Sequence, residues 1–242
     1  MDYYDIYQKR LNRFGKTYQE RVLGAREKNF DIYLEKSSYK VIFEYDYEQH
    51  IGSFEKYKQD ETKTLHYLLT YLDLEMPAGT IIHIPTSEYG DTEPWMVYYL
   101  EQIETSGYNR YIMLRMTHNF SWIGRDGLEY NTYAYLYGQE DNMLKDEIRS
   151  RSRMDTIYAE NLKSSFFICP VNPNLNKDDY LIIGEKPLQE YYRVTGYDRQ
   201  STPGVEFITI DPVYEFDLTP PPTYQGEEPE KYFWFKGGVE ND

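Results

Sequence analysis

Over the first 28 residues, apolar positions recur at spacings of three and four. Tyr4, Tyr7, Leu11, Phe14, Tyr18, Val22 and Ala25 form one stripe, and Lys9, Arg13, Glu20 and Arg21 fill the remaining surface. Side chains three and four apart share a helix face, so this period predicts an amphipathic helix over residues 2–28. Gly15 and Gly24 weaken its middle and its end. Packing of these rings on their own domain is the favoured reading, with docking on a neighbouring subunit the alternative.

From residue 37 the period shortens to that of strands. Residues 39–45 alternate and are rich in β-formers. Residues 56–74 are ambiguous: Leu65, Leu68, Leu69 and Leu72 suit a short helix with Asp60 near its start. Met76-Pro77-Ala78-Gly79 reads as a turn before a strand over 80–84. Strands over 95–103 and 108–117 follow, joined by Thr105-Ser106-Gly107. Strands over 119–123 and 128–136 flank Arg125-Asp126-Gly127, whose Asp-Gly pair signals a hairpin. Residues 138–162 are charged, with Met143, Leu144, Ile148, Met154, Ile157 and Leu162 at helical points. Strand texture returns over 164–169, 179–183, 190–197 and 205–210. Beyond Leu218 the chain runs through Pro220-Pro221-Pro222 and an acidic stretch to Tyr232, Phe233 and Trp234. The proline run predicts an extended arm. Its aromatic end suggests docking on a neighbour.

The two halves echo one another. Lys-Ser-Ser opens residues 36–38 and 163–165. Gly79-Thr80-Ile81-Ile82 resembles Asp179-Tyr180-Leu181-Ile182, and Trp95-Met96-Val97-Tyr98 resembles Tyr192-Arg193-Val194. Gly107-Tyr108-Asn109 is matched by Gly196-Tyr197-Asp198, and Tyr111–Leu114 by Phe207–Ile210. The intervals are unequal, so no solenoid period is present. Two readings stand: a duplicated small β-barrel with different loops, or chance similarity in a Tyr-rich chain. The expected fold class is mainly β with helices (α+β), a small β-barrel with an N-terminal helix and an extended C-terminal arm. The expected divisions are a helical segment over 1–36, a barrel-like module over 37–137, a helix with a second β module over 138–215, and the arm over 216–242.

Composition narrows the function. Of 242 residues, 28 are Tyr, 11 Phe and 3 Trp, a bias that suits half-buried sheet surfaces and contact faces. With 26 basic and 41 acidic residues the formal net charge is −15. That excess argues against a phosphate-binding face and against an anionic membrane as partner. The apolar runs are too short for a helical membrane span. The opening Met1-Asp2-Tyr3-Tyr4 shows no secretory signal pattern. The single Cys169 excludes an internal disulfide framework, and synthesis in a reducing compartment is expected.

The chain carries no phosphate-loop, dinucleotide, nucleophile-elbow or zinc-ligand spacing. His50, His66, His83 and His118 are scattered, and His66 reads as a structural residue on an apolar helix face. Cys169 follows Phe166-Phe167-Ile168 and reads as a buried, inert thiol. Glu140-Asp141 and Asp178-Asp179 offer paired carboxylates of the kind a glycosidase uses, though exposed solvated acids are the favoured reading. Trp95 and Trp122 are candidates for a sugar-stacking platform. Arg149, Arg151 and Arg153 form the one basic cluster, suited to an interface or to local pairing with nearby acids. No catalysis, metal or cofactor is expected.

Residues 107–118 (GYNRYIMLRMTH), 138–155 (GQEDNMLKDEIRSRSRMD) and 192–213 (YRVTGYD…TPGVEFITIDPV) resemble tailed-bacteriophage neck proteins of the head-closure or stopper class. The resemblance spans roughly 37–215. It implies a small β-barrel with inserted loops and helices. The implied role is a homo-oligomeric ring between portal or adaptor and tail, which closes the DNA exit channel and presents the tail attachment surface. Simple stoppers are about half this length, and a duplicated barrel would explain the excess. The resemblance implies a virion protein assembled in the host cytoplasm, without sequence-specific nucleic-acid binding, with DNA passing through the ring's lumen. A tail-tube, distal-tail or baseplate protein, with carbohydrate binding, is the alternative. Expected interface residues are Tyr4, Tyr7, Phe14, Tyr18, Arg149, Arg151, Arg153, Tyr232, Phe233 and Trp234.

Overall fold

A computed structural model describes residues 6–9, 13, 17–57, 64–86, 91–101, 107–124, 126–137, 144, 166–184 and 190–213. These residues form a mainly β protein with an N-terminal helix, as the expected fold class requires. The chain divides into two compact units. One comprises residues 1–77, 82–93 and 97–113, the other residues 78–81, 94–96 and 114 onward.

In the first unit, α1 (Tyr18–Lys36) precedes β1 (Lys40–Tyr45), β2 (Glu48–Lys56), β3 (Leu65–Thr70), β4 (Ile81–Pro85), β5 (Thr92–Glu101) and β6 (Asn109–Arg115). The strands form one sheet of order β1-β2-β3-β6-β5-β4. The helix differs from the one expected over 2–28. Residues 6–9 are helical, but α1 starts only after Thr17, whose hydroxyl accepts from Glu20 N at 3.1 Å while the Glu20 carboxylate accepts from Thr17 N. This reciprocal cap satisfies two otherwise orphaned donors and fixes a new start. The helix then runs on to Lys36, because Phe30 and Leu34, four apart, bury against Leu69, Tyr67, Tyr71 and Tyr108.

The short helix expected within 56–74 is a strand instead. Leu65, Leu68 and Leu69 are all buried, and β3 pairs antiparallel with β2 from Ser53↔Leu69 to Lys56↔His66. An interior strand covered on both faces reads as a continuous apolar run, which six residues cannot distinguish from a helical pattern. His66 therefore lies on a strand, its ring stacked on Phe54 with centroids 4.7 Å apart.

The second unit contains β7 (His118–Ile123), β8 (Glu129–Tyr137), β9 (Phe166–Pro170), β10 (Tyr180–Ile183), β11 (Glu190–Thr202) and β12 (Val205–Val213). They close into a barrel of order β10-β11-β12-β9-β8-β7, with every neighbouring pair antiparallel. Phe120, Trp122, Phe167, Leu181, Val194 and Ile208 form the core of its interior cluster. The boundary between β modules thus lies near residue 113, not at 137. The β7–β8 hairpin belongs to the second unit because its edges pair with β9 and β10. The hairpin itself is the one signalled by Asp126-Gly127: Gly127 has φ +77°, and Asp126 Oδ1 accepts from Leu128 N at 3.1 Å.

Numbered from its own first strand, each unit has the same order, 1-2-3-6-5-4. The sequence echoes sort on this frame. Residues around 81 and 181 lead into or lie on fourth strands, Trp95–Tyr98 and Tyr192–Val194 on fifth strands, and Tyr111–Leu114 and Phe207–Ile210 on sixth strands. Two echoes do not correspond. Lys-Ser-Ser precedes the first strand of one unit and the third of the other. Gly107-Tyr108-Asn109 opens a sixth strand, whereas Gly196-Tyr197-Asp198 lies inside a fifth.

Candidate functional site

Of the expected interface residues, Tyr7 and Tyr18 lie within the described structure, and both are exposed, Tyr18 at 77%. The described part of the stripe packs on its own domain only in part. Val22 and Ala25 are only half-buried, and Phe30 and Leu34, outside the stripe, anchor the helix. Tyr4, Phe14, Arg149, Arg151, Arg153, Tyr232, Phe233 and Trp234 lie outside the described residues, as do Glu140, Asp141 and the helix expected over 138–162 apart from Leu144.

The β1–β2 hairpin carries an exposed apolar surface that sequence reasoning missed. Ile42 and Ile51 are directly opposed across the two strands and both are exposed. The connection is the two-residue turn Asp46-Tyr47, with φ +52° and +64°. Two successive positive φ values define the type I′ geometry that matches strand twist and normally selects Asn-Gly. Here a tyrosine occupies the second position, at a cost of about 1–2 kcal/mol for an L side chain, and its ring is 95% exposed. Glu44, Asp46 and Glu48 are its acidic neighbours in the sequence.

The barrel bears a cavity of about 500 Å³ between β7, β8 and β10. Thr117, His118, Asn119, Ser121, Glu129 and Asn131 supply its polar wall, with Ile182 and Ile183 beside them. Thr117 Oγ1 lies 2.7 Å from His118 Nδ1. Burial pushes the His118 imidazole below its ordinary pKa, against an opposing pull from Glu190. Tyr192 donates to Glu190 at 2.7 Å, and burial together with that bond pushes its hydroxyl up to about 12. Such a wall can hold a polar group by hydrogen bonds around a neutral imidazole.

Behind the barrel wall lies a buried ionic cluster. Glu206 is wholly buried; its Oε1 accepts from Arg199 Nε at 2.8 Å and its Oε2 from Asn172 N at 3.1 Å. Arg199 Nη2 also donates to the carbonyls of Asn172 and Leu175, and its guanidinium lies over the Tyr197 ring. Burial raises the Glu206 carboxyl, with Asn172 N and Arg199 pulling the other way. Cys169 is a buried free thiol pushed far up by burial and by Glu206 nearby, so it is inert, as expected.

Two other expectations fail. Trp95 and Trp122 are 3% and 1% exposed, so neither ring offers a face to a sugar; Trp122 Nε1 donates to Asn174 O. Asp179 is not a solvated acid but a buried one, its Oδ2 accepting from Asn176 N at 2.7 Å. Among the described residues no group of three His, Cys, Asp or Glu is placed to hold a metal ion. No described helix is long and apolar enough to cross a membrane.

No family model matches the chain, and no curated protein does. Among solved structures, the chain is similar to MrkH of K. pneumonia in its apo state, at 12% identity over 82% of this chain and 86% of that one, with a TM-score of 0.26. A second MrkH structure, described as a c-di-GMP dependence transcription regulatory factor, matches at 9% identity over 82% and 85%, with a TM-score of 0.22. TM-scores this low carry no argument about the fold or function of this chain.

Proposed function

We propose that the chain is a structural protein of a tailed-phage neck. In this reading, copies form a ring between portal or adaptor and tail, close the DNA exit channel and offer the tail its attachment surface. The observation that carries it is the repeated strand order. The resemblance over 107–118 and 192–213 implies a small-barrel protein of about half this length. Two successive six-stranded units of order 1-2-3-6-5-4 account for the excess. The exposed aromatic and aliphatic positions of the first unit supply contact surface of the composition that interfaces favour. The net charge of −15 suits a lumen through which DNA slides without adhering, since like charges repel.

Removal of the chain from the virus, for example by a nonsense codon, tests this. The expected result is separate tails and heads that package DNA but lose it, seen by electron microscopy. Normal tailed, infectious particles without the chain would exclude the role.

A further inference from the structure

We propose that β1 is a self-pairing edge: two copies of the chain join antiparallel along it, about a two-fold axis at Ile42, into one continuous sheet. The pairing belongs to the free chain and stands apart from the neck reading. A two-fold contact closes at a dimer, whereas a ring needs a head-to-tail one.

The backbone decides which groups meet a partner. β1 ends the sheet of the first unit, and among the described strands only β2 pairs with it. Along a strand, successive residues turn their backbone groups to opposite sides. The carbonyl of Tyr39, just before β1, accepts from Phe54 N at 2.8 Å, so the odd-numbered residues turn their N–H and C=O to β2. The two-residue turn Asp46-Tyr47 agrees, because it makes Tyr45 and Glu48 a hydrogen-bonded pair. Lys40, Ile42 and Glu44 therefore point both backbone groups out from the edge. A second β1 bonds to these three residues only in registers that set even-numbered residues opposite one another.

Side chains select one register. Centring on Ile42 sets Ile42 against Ile42, and Lys40 of each copy against Glu44 of the other. A two-fold axis at Val41 or Phe43 sets Ile42 against Lys40 or Glu44 instead. An axis at Lys40 or Glu44 sets like charges face to face, which destabilises a ladder. Lys40 and Glu44 are exposed, and Ile42 is 52% exposed. On β2 the exposed Ile51 lies directly opposite Ile42. The joined sheet thus carries the row Ile51, Ile42, Ile42, Ile51 at strand spacings of about 4.8 Å.

The position of α1 explains why this row is bare. Cross-strand partners share a face, so Lys40, Ser53 and Leu69 lie on the helix side of the sheet. Leu69 packs against Phe30 and Leu34, and Ser53 lies 3.2 Å from Ser37, just past the end of the helix. The same face continues to Ile42 and Ile51 after the helix has stopped. An open edge with exposed aliphatic side chains is an aggregation hazard. Charge matching about a single axis turns that hazard into a closed pair.

Sedimentation equilibrium on the full chain tests the pairing, with circular dichroism to establish folding. The wild type is expected to show a monomer–dimer equilibrium. Lys40→Glu sets carboxylates against carboxylates, and Glu44→Lys sets ammonium groups against one another. Each variant alone is expected to dimerise about tenfold more weakly or worse. An equimolar mixture of the two is expected to dimerise like the wild type, since an acidic edge then meets a basic one. Ile42→Pro removes the N–H groups at the axis, and an edge strand tolerates proline where the N–H faces outward. It is expected to fold and to stay monomeric; if it unfolds, the charge mixture decides. A mixture no tighter than its components overturns the pairing, as does any folded single variant that dimerises like the wild type. A wild type that stays monomeric at every concentration also overturns it. Larger assemblies that all the variants form equally overturn it too, and leave the neck reading standing.

Discussion

Tyr47 is held in a conformation that costs the folded monomer stability. Its positive φ and its 95% exposure mean that the folded monomer gains little from the ring and bears its strain. Tyr47→Gly is expected to stabilise the monomer by about 1 kcal/mol, read as a higher urea midpoint. Arg199 and Glu206 behave differently, because Glu206 is wholly buried and Arg199, three-quarters covered, is its ion-pair partner. Arg199→Met leaves a buried carboxylate without its partner and should cost about 3–5 kcal/mol. Adding Glu206→Leu should restore most of that loss, since an apolar pair needs no desolvation of charge. Glu206 also sets a pH dependence. Burial raises its folded-state pKa above the unfolded value, so its contribution is full below the unfolded value and is lost as pH rises through the folded one. The stability of the wild type relative to Glu206→Gln should therefore decline as pH rises above the ordinary glutamate value of about 4.3 and through the raised folded one, measured by chemical denaturation at each pH.

At the scale of elements, backbone approach matters as much as side-chain packing. Gly79 and Gly204 both have positive φ, and a Cβ on Gly204 would lie 2.0 Å from the Ala78 carbonyl. Gly204→Ala combines a forbidden conformation with a backbone collision. It is expected to lower stability by roughly 2–3 kcal/mol, seen as a fall in melting temperature. Turns and hairpins of this kind were legible in the sequence wherever Gly or Asp-Gly marked them, as at Ala78-Gly79 and Asp126-Gly127. The β1–β2 turn was not, because a tyrosine sits where glycine is expected. Nor was β2 itself, whose Glu48, Gln49, His50, Gly52 and Ser53 carry little β signal and rely on β1 and β3 for pairing. The leucines of β3 matched a helical period only because an interior strand has no polar face. The start of α1 was written in Thr17 and Glu20, but the longer apolar stripe across Gly15 concealed it.

For the whole molecule, the shared strand order of the two units explains how a chain of 242 residues can consist of two small β modules. The sequence echoes on the fourth, fifth and sixth strands were readable in advance, because those strands hold the apolar runs. The first three strands of each unit diverge, so the boundary near residue 113 was not readable. The exposed tyrosines of the N-terminal segment could be named from their period, whereas Ile42 and Ile51 required the register that sets them side by side. The measurement that tests the neck reading most directly is cross-linking mass spectrometry on purified particles. Cross-links from this chain to portal or adaptor on one side and to a tail protein on the other are predicted. Cross-links to fibre or baseplate proteins alone, or absence of the chain from particles, would contradict the account.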